Sequence, residues 1–395
     1  MLSISRLDIH NIGRIQELTL EFSPGLNLVC GPNGIGKTTI LECIGHAFSW
    51  ANGTLTRSAD SADGSYSIVA KKDGEQLQHE FKCNSFAPQK REHQHGLREL
   101  VDQVVVLKTN RAFAYQEVQH VSRDPSNQER VYGLGIAGIT FPDIKSWLVN
   151  RLMFEHRQDG LVNAQRANLE LAKRAFSELD EAVRFSRVMI DTFDIMVVTP
   201  AGEIYFEYLS SGFISCLCLV LGLIKEIEYR FKTPHVAAEN FDGLVVIDEL
   251  DLHLHPEWQA KLIRLLKRIF PKTQFIAATH SPHMIQAAEP NEIVALVADD
   301  TGRVLRRELP SSEFGFQGWT VEEILTDVMG MRDTRSEKYR SFVTDYEVAL
   351  DSGDRPKAEQ TYKVLDRFLH PNNVQRKLFK LELGRVAGGV NDQAD

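Results

Sequence analysis

The chain has 395 residues, 43 % of them hydrophobic and 25 % charged, which excludes a disordered or low-complexity protein and leaves enough chain to bury a sizeable core. The longest nearly unbroken apolar run, Phe213 to Ile224, is about half of what a bilayer crossing needs. Forty-five basic against 54 acidic residues give a formal charge of −9, so nucleic acid cannot coat most of the surface and any contact with it is confined to local basic patches.

The elements follow in chain order. ISRLDIHNI (4–12) and IQELTLEF (15–22) alternate apolar and polar positions, as half-buried strands do. LNLVC (26–30) is continuously apolar and predicts a central strand buried on both faces. A helix follows from Lys37 to about Phe48. Residues 65–83 read as a hairpin turning at Asp73-Gly74, and VDQVVVLKT as a further strand ending near Thr109. From about Pro125 to Thr199 the pattern is helical, with a stripe of Leu169, Ala172, Phe176, Leu179 and Val183 that lasts only two heptads and predicts packing onto the domain. Strands return as IYFEYL, GLVVIDEL, QFIAATH and IVALVAD, the middle two separated by a helix-like segment, which is a parallel α/β pattern. The last stretch is helical and polar, with Thr320 and Glu323 at capping-box spacing and Pro356 placed to open a helix.

The five cysteines include no CxxC pair, so neither a disulfide framework nor a zinc site is expected. Cys30 and Cys43 read as small core residues; Cys216 and Cys218, two apart on a helix, should point apart. The N-terminal MLSISRLDIHN carries charges where a signal peptide has its apolar core, so the expected location is cytoplasmic, with no membrane contact.

The strongest chemical signal is Gly31-Pro32-Asn33-Gly34-Ile35-Gly36-Lys37-Thr38, which satisfies GxxxxGK[ST] and is followed by Thr39. Phosphates need several converging backbone N–H groups, glycines let the chain curl closely enough to supply them, and the next helix presents its positive end to the same anion. Lys37 is placed for the β- and γ-phosphates and Thr38 for Mg²⁺. The loop lies between an apolar strand and a helix, the context that the motif requires. A second site half is Leu244-Val245-Val246-Ile247-Asp248-Glu249: four strand residues ending in two carboxylates at a C-terminal tip, where α/β proteins bind ligands. There Asp248 can hold Mg²⁺ and Glu249 can polarise an attacking water. A third strand, Gln274 to Ala278, ends in Thr279-His280-Ser281, whose histidine either senses the γ-phosphate or is a capped core residue.

GPNGIGKT, LSSGF (Leu209–Phe213), VVIDE and the THS around His280 stand in the order shared by ABC-type ATPases. The chain resembles the SMC/RecF/OLD branch, over residues 1–50 and 200–300 with high specificity. The resemblance implies a head domain that dimerises face to face around two nucleotides. By position it makes Ser210 and Gly212 contacts of the opposite γ-phosphate, Asp248 the Mg²⁺-associated residue, Glu249 the catalytic base and His280 the switch histidine. The chain departs from the pattern at Ser211 and Phe213, where Gly and Gln are usual, and at His255, which replaces the final Asp of the following loop. Gln103 and Gln116 are equal candidates for the Q-loop glutamine.

DLHLHP with its two histidines, His253 and His255, looks like a stretch of small defence-associated ATPases in which it shapes the dimer interface; a metal site is the rival reading. Glu92-His93-Gln94-His95 reads as an exposed loop. No long coiled coil is present, no acidic TOPRIM pattern is found, and His370-Pro371-Asn372-Asn373 lacks the second histidine of an HNH nuclease, so no nuclease centre is recognised.

The compact head with a helical tail resembles the PtuA-like ATPases of Septu- and retron-type anti-phage modules. The expected fold is α/β: an ABC-ATPase head with a mixed and parallel sheet around the phosphate loop, a β-rich N-terminal subdomain, a helical insertion and a helical C-terminal tail. The expected divisions are 1–124, 125–199, 200–310 and 311–395. The expected function is an Mg²⁺-dependent ATPase, a homodimer or higher homo-oligomer around ATP, gating a separate nuclease or toxin. A RecF-like repair ATPase and a nucleotide-dependent scaffold are the alternatives. Arg332, Arg335, Lys338 and Arg340 form a basic stretch open to DNA contact or to solvent.

Overall fold

In the computed structural model, which describes residues 1–48, 55–87, 96–109, 124, 141–158, 160–310, 313–331 and 333–388, the alternating N-terminal segment forms β1 (Leu2–Ile12) and β2 (Ile15–Glu21). A bulge between Ile4 and Arg6 moves the buried positions of β1 from Leu2 and Ile4 to Leu7 and Ile9. After β3 (Leu26–Cys30) and α1 (Lys37–Phe48) come β4 (Gly64–Lys72) and β5 (Glu75–Cys83), turning at Asp73-Gly74, where both residues have positive φ as a tight hairpin turn requires. These strands make a four-stranded antiparallel sheet, β2-β1-β4-β5.

The expected strand 101–109 is shorter than read. Residues Arg98–Gln103 coil into a 3₁₀ turn and β6 is only Val104–Leu107. Two helices follow, α2 (Phe141–Phe154) and α3 (Asn163–Leu179). Leu169, Ala172, Phe176 and Leu179 are buried, so the stripe packs onto the head. Helix does not continue to Thr199. RFSRV and IMVVT form β7 (Arg184–Val188) and β8 (Ile195–Thr199), which join β9 (Gly202–Tyr205) in a three-stranded antiparallel sheet. Ile195, Met196 and Val197 on β8 are all buried, an apolar run where a helix was expected. IYFEYL likewise splits, its second half forming a 3₁₀ turn, Phe206–Tyr208.

The remaining elements of the head are α4 (Ser211–Arg230), β10 (Leu244–Ile247), α5 (Pro256–Ile269), β11 (Gln274–Ala278), α6 (Pro282–Ala287), β12 (Ile293–Ala298) and β13 (Val304–Arg306). The central sheet runs β13-β12-β3-β11-β10-β6, parallel except for the antiparallel β13. Its continuous apolar runs are buried on both faces, as parallel strands demand. Leu28, Leu107, Ile247 and Ala277 face the layer of helices α2 to α6. Val29, Val246, Ile276 and Val294 face α1 and the antiparallel sheet. Gln274 crosses between the sheets: its side-chain amide accepts from Ile4 N at 2.7 Å and donates to Ile4 O at 2.8 Å.

Helix α4 is buried almost all round, so Cys216 and Cys218 are both buried although two residues apart. Its Glu228 accepts from Trp147 Nε1 (3.1 Å), Arg151 Nε (2.5 Å) and Asn168 Nδ2 (2.9 Å), and this satisfied network ties α4 to α2 and α3.

The segment expected as one tail from 311 divides. Phe316, Ile324, Val328 and Met329 are buried in the head core, and the compact unit extends over Met1–Met331. The Thr320–Glu323 capping box forms there. The second unit, Arg332–Asp395, contains α7 (Glu337–Asp351), α8 (Arg355–Phe368) and α9 (Val374–Gly388) around Tyr339, Tyr346, Ala349, Ala358 and Leu365. Asp354 caps α8 and Pro356 lies in its first turn. The structure is thus an α/β head with a mixed sheet, a β-rich N-terminal subdomain and a helical C-terminal region, as expected. No helix among the described residues is long and apolar enough to cross a membrane.

Candidate nucleotide-binding site

The phosphate loop leaves β3 and enters α1. Gly31, Gly34 and Gly36 have φ of 146°, 70° and 110°, a region side chains disfavour, and a Cβ on Gly31 would lie 2.5 Å from the Leu296 carbonyl oxygen. Glycine is therefore needed both for the curl and for the close approach to β12. Pro32 is half-buried, Asn33, Gly34 and Thr38 are exposed, and Thr39 is half-buried. Lys37 is buried, with Nζ donating to Gly31 O at 2.9 Å and Pro32 O at 3.0 Å. Burial pulls its pKa below the ordinary lysine value, against the pull of Cys30 and of the nearby carboxylates. Arg14 donates to the Gly34 carbonyl at 2.7 Å, a support that sequence reasoning missed.

The strand order places β10 two strands from β3, and this brings together residues 210 positions apart. Thr38 Oγ1 donates to Asp248 Oδ2 at 3.2 Å. Glu249 follows with φ 49°, a left-handed conformation that non-glycine residues rarely adopt and that turns the chain sharply off the strand tip. Beside Thr38 and Asp248, a cavity of about 30 Å³ is lined by Leu41, Glu42, Gly45, Val106, Leu107, Lys108 and Val246. Glu42 and Lys108 meet there at 3.9 Å. Burial raises the Glu42 carboxyl pKa, with Asp248 adding to it and Lys108 opposing.

At the tip of β11, Thr279 is fully buried and His280 half-buried. Ser281 caps α6, accepting from Met284 N at 3.1 Å, so the capping expected of this segment is supplied by the serine. His280 is left facing the site. Burial and the Lys37 ammonium push its pKa below the ordinary imidazole value, with Asp251, Glu249 and Asp248 opposing. Asp251, not singled out by the sequence, accepts from Thr279 Oγ1 (2.7 Å) and His280 N (3.0 Å) through the same oxygen, Oδ1.

Ser210 is exposed at the N-cap of α4, where its Oγ accepts from Phe213 N at 3.3 Å. Gly212 packs directly on Trp258: a Cβ there would lie 2.2 Å from Cδ1 of the indole. Helix α4 belongs to the layer opposite α1, so Ser210 and Gly212 are not part of the phosphate loop's own layer.

Residues 90–285 match the family described as "AAA domain, putative AbiEii toxin, Type IV TA system", and residues 6–137 match a further AAA domain family. Over 397 residues the chain is 46 % identical to the Septu protein PtuA of Bacillus thuringiensis, covering 98 % of this chain and 100 % of that one. The chain belongs to the Septu PtuA family. It is also 28 % identical over 201 residues to the "Retron Vc95 probable ATPase" of Vibrio cholerae serotype O1 biovar El Tor, covering 50 % of this chain and 36 % of that protein. Among solved structures, the SMC head domain from Thermotoga maritima aligns at a TM-score of 0.44 and 15 % identity over 78 % of this chain and 99 % of that one. As a member of the PtuA family, the chain is a nucleotide-binding ATPase of the AAA class in anti-phage defence.

Other residues singled out in this PtuA-family sequence fall elsewhere. His253 and His255 are exposed, the first with φ 62° and the second at the N-cap of α5, and among the described residues no group of three or more metal-ligating side chains forms. Gln103 precedes β6, at the end of the sheet opposite Asp248, with its Oε1 buried and unpartnered. Its place at the wrong end of the strand removes it as a Q-loop residue, whereas Gln116 lies outside the described residues, as do Glu92 to His95 and Arg332. Of the basic stretch, Arg335 lies over the Tyr339 ring and Arg340 pairs with Asp333 at 3.3 Å, while Lys338 is exposed.

Proposed function

We propose that two copies of this chain close on ATP with Mg²⁺, hydrolyse the terminal phosphoanhydride bond, and use that cycle to gate a separate nuclease or toxin subunit in defence against phage. The observation that carries the proposal is the meeting of Thr38 and Asp248, which joins the phosphate loop to the carboxylate pair across 210 residues of sequence.

The loop's N–H groups and the N-terminus of α1 hold the phosphates, and Lys37 Nζ exchanges the Gly31 and Pro32 carbonyls for β- and γ-phosphate oxygens. The Thr38 hydroxyl and the Asp248 carboxylate are adjacent hard oxygen donors, the donor set that Mg²⁺ takes, so the residues fit the ion. When bound, Mg²⁺ supplies positive charge against the phosphates. The Glu249 carboxylate orients the attacking water and takes its proton. His280 offers a ring N–H to the γ-phosphate. Ser210 and the exposed N-terminus of α4 lie in the layer opposite α1 and serve the nucleotide of the second copy.

Glu249→Gln should lower turnover about a hundredfold or more while ATP binding stays intact. The same variant should sediment as a dimer only when ATP and Mg²⁺ are present. Wild-type hydrolysis by Glu249→Gln would remove the base from this account.

A further inference from the structure

We propose that Asp251 is a positioning residue for hydrolysis, holding the His280 backbone in register with Glu249; this deepens the reading of the site above and rests on it. Three consecutive amides of the switch loop are all bonded, each differently. Thr279 N donates to Val29 O at 3.1 Å, which anchors the loop to β3 just before the phosphate loop. Ser281 N donates to Thr279 Oγ1 at 3.0 Å, a bond within the loop itself. His280 N, between them, donates to the Asp251 carboxylate at 3.0 Å.

The same Asp251 oxygen also receives the Thr279 hydroxyl at 2.7 Å, so one carboxylate oxygen holds two neighbouring residues of the loop. Leu250 N donates to Ala278 O at 2.8 Å, and the pairing therefore runs on without a gap from backbone to side chain. Glu249 precedes this ladder on one segment and His280 ends it on the other. Bonds to an ionised acceptor are stronger than neutral ones, and here they are sheltered by a fully buried Thr279. Asp251 accepts its hydrogen bonds from the switch loop and not from the phosphate-binding groups, so it acts through His280.

The test compares Asp251→Ala, Asp251→Asn, His280→Ala and the double variant D251A/H280A in steady-state hydrolysis and in binding of a fluorescent ATP analogue. Asp251→Ala should lower kcat about tenfold or more with KM and analogue affinity changed less than about threefold. Asp251→Asn keeps an acceptor oxygen and should recover most of that loss. The double variant should be no slower than His280→Ala alone, because the two side chains work in series. Wild-type kcat in Asp251→Ala, an asparagine variant as slow as the alanine one, or losses that multiply in the double variant would each overturn the proposal. Thr279→Val, which removes one of the two donors, replaces Asp251→Ala where that variant does not fold, and an unchanged kcat would then count against the proposal. Normal turnover in Glu249→Gln would instead tell against the reading of the site as a whole.

Discussion

Two imidazoles in the head are held below their ordinary pKa, and burial is the first cause in both. His79 on β5 has a buried Nε2 with no hydrogen-bond partner, while His280 faces the Lys37 ammonium. Below pH 6.5 the unfolded chain takes up protons that these folded sites resist. Their contribution to stability is therefore complete above 6.5 and is lost as the pH falls. Thermal melting should be flat above about pH 7 and decline on acidification, and His79→Leu should flatten part of that decline. An identical slope in the variant would place the sensitivity in other groups. The residues legible in the sequence are those whose neighbours in the chain declare them: the glycines around Lys37, or two acids ending an apolar strand. Asp251, Arg14, Glu42 and Lys108 act only through partners that the fold brings close. A carboxylate three positions after Asp248 carries no local mark of the loop it will hold.

At the scale of elements, the first turn of α5 meets two functional loops. Trp258 lies edge-on to Phe213 with ring centroids 5.5 Å apart and fills the space over Gly212. Gln259 accepts from Ser281 Oγ at 2.5 Å and donates to Leu254 O at 3.0 Å. The glycine of LSSGF thus has a packing reason within its own chain, whatever its amide does toward a nucleotide. Gly212→Ala would press a methyl group into the indole, forcing α4 and α5 apart. Overpacking of this kind costs about 1–3 kcal/mol. Urea unfolding should show a lower midpoint at unchanged slope, and a midpoint equal to that of the wild type would mean that the helices separate freely. Element identity was legible where one period ran without competition, as in β1, β3 and α1. It failed at Arg184–Thr199, where the helical stripe ending at Val183 masked two short strands. It also overextended β6, whose preceding turn includes the apolar Val101.

For the whole head, the central sheet separates two cores. The phosphate loop leads into α1 on one side, and α4, with Ser210 at its N-cap, packs on the other. On the proposed reading each of these layers supplies half of a pocket, which two copies related by a twofold axis would complete. The order of motifs along the chain marks the two segments that the proposal pairs. Their assignment to opposite layers required the parallel strand order, because crossovers place helices on either face and the sequence does not say which.

The central claim is that each pocket takes Lys37 from one copy and Ser210 from the other. Mixing two variants, Lys37→Ala and Ser210→Arg, tests it most directly, since only a mixed pair can assemble one intact pocket. Each variant alone should hydrolyse ATP at background level, and the equimolar mixture should regain about a quarter of wild-type turnover under random pairing. A mixture as inactive as its components, or a Ser210→Arg variant as active as the wild type, would contradict the account.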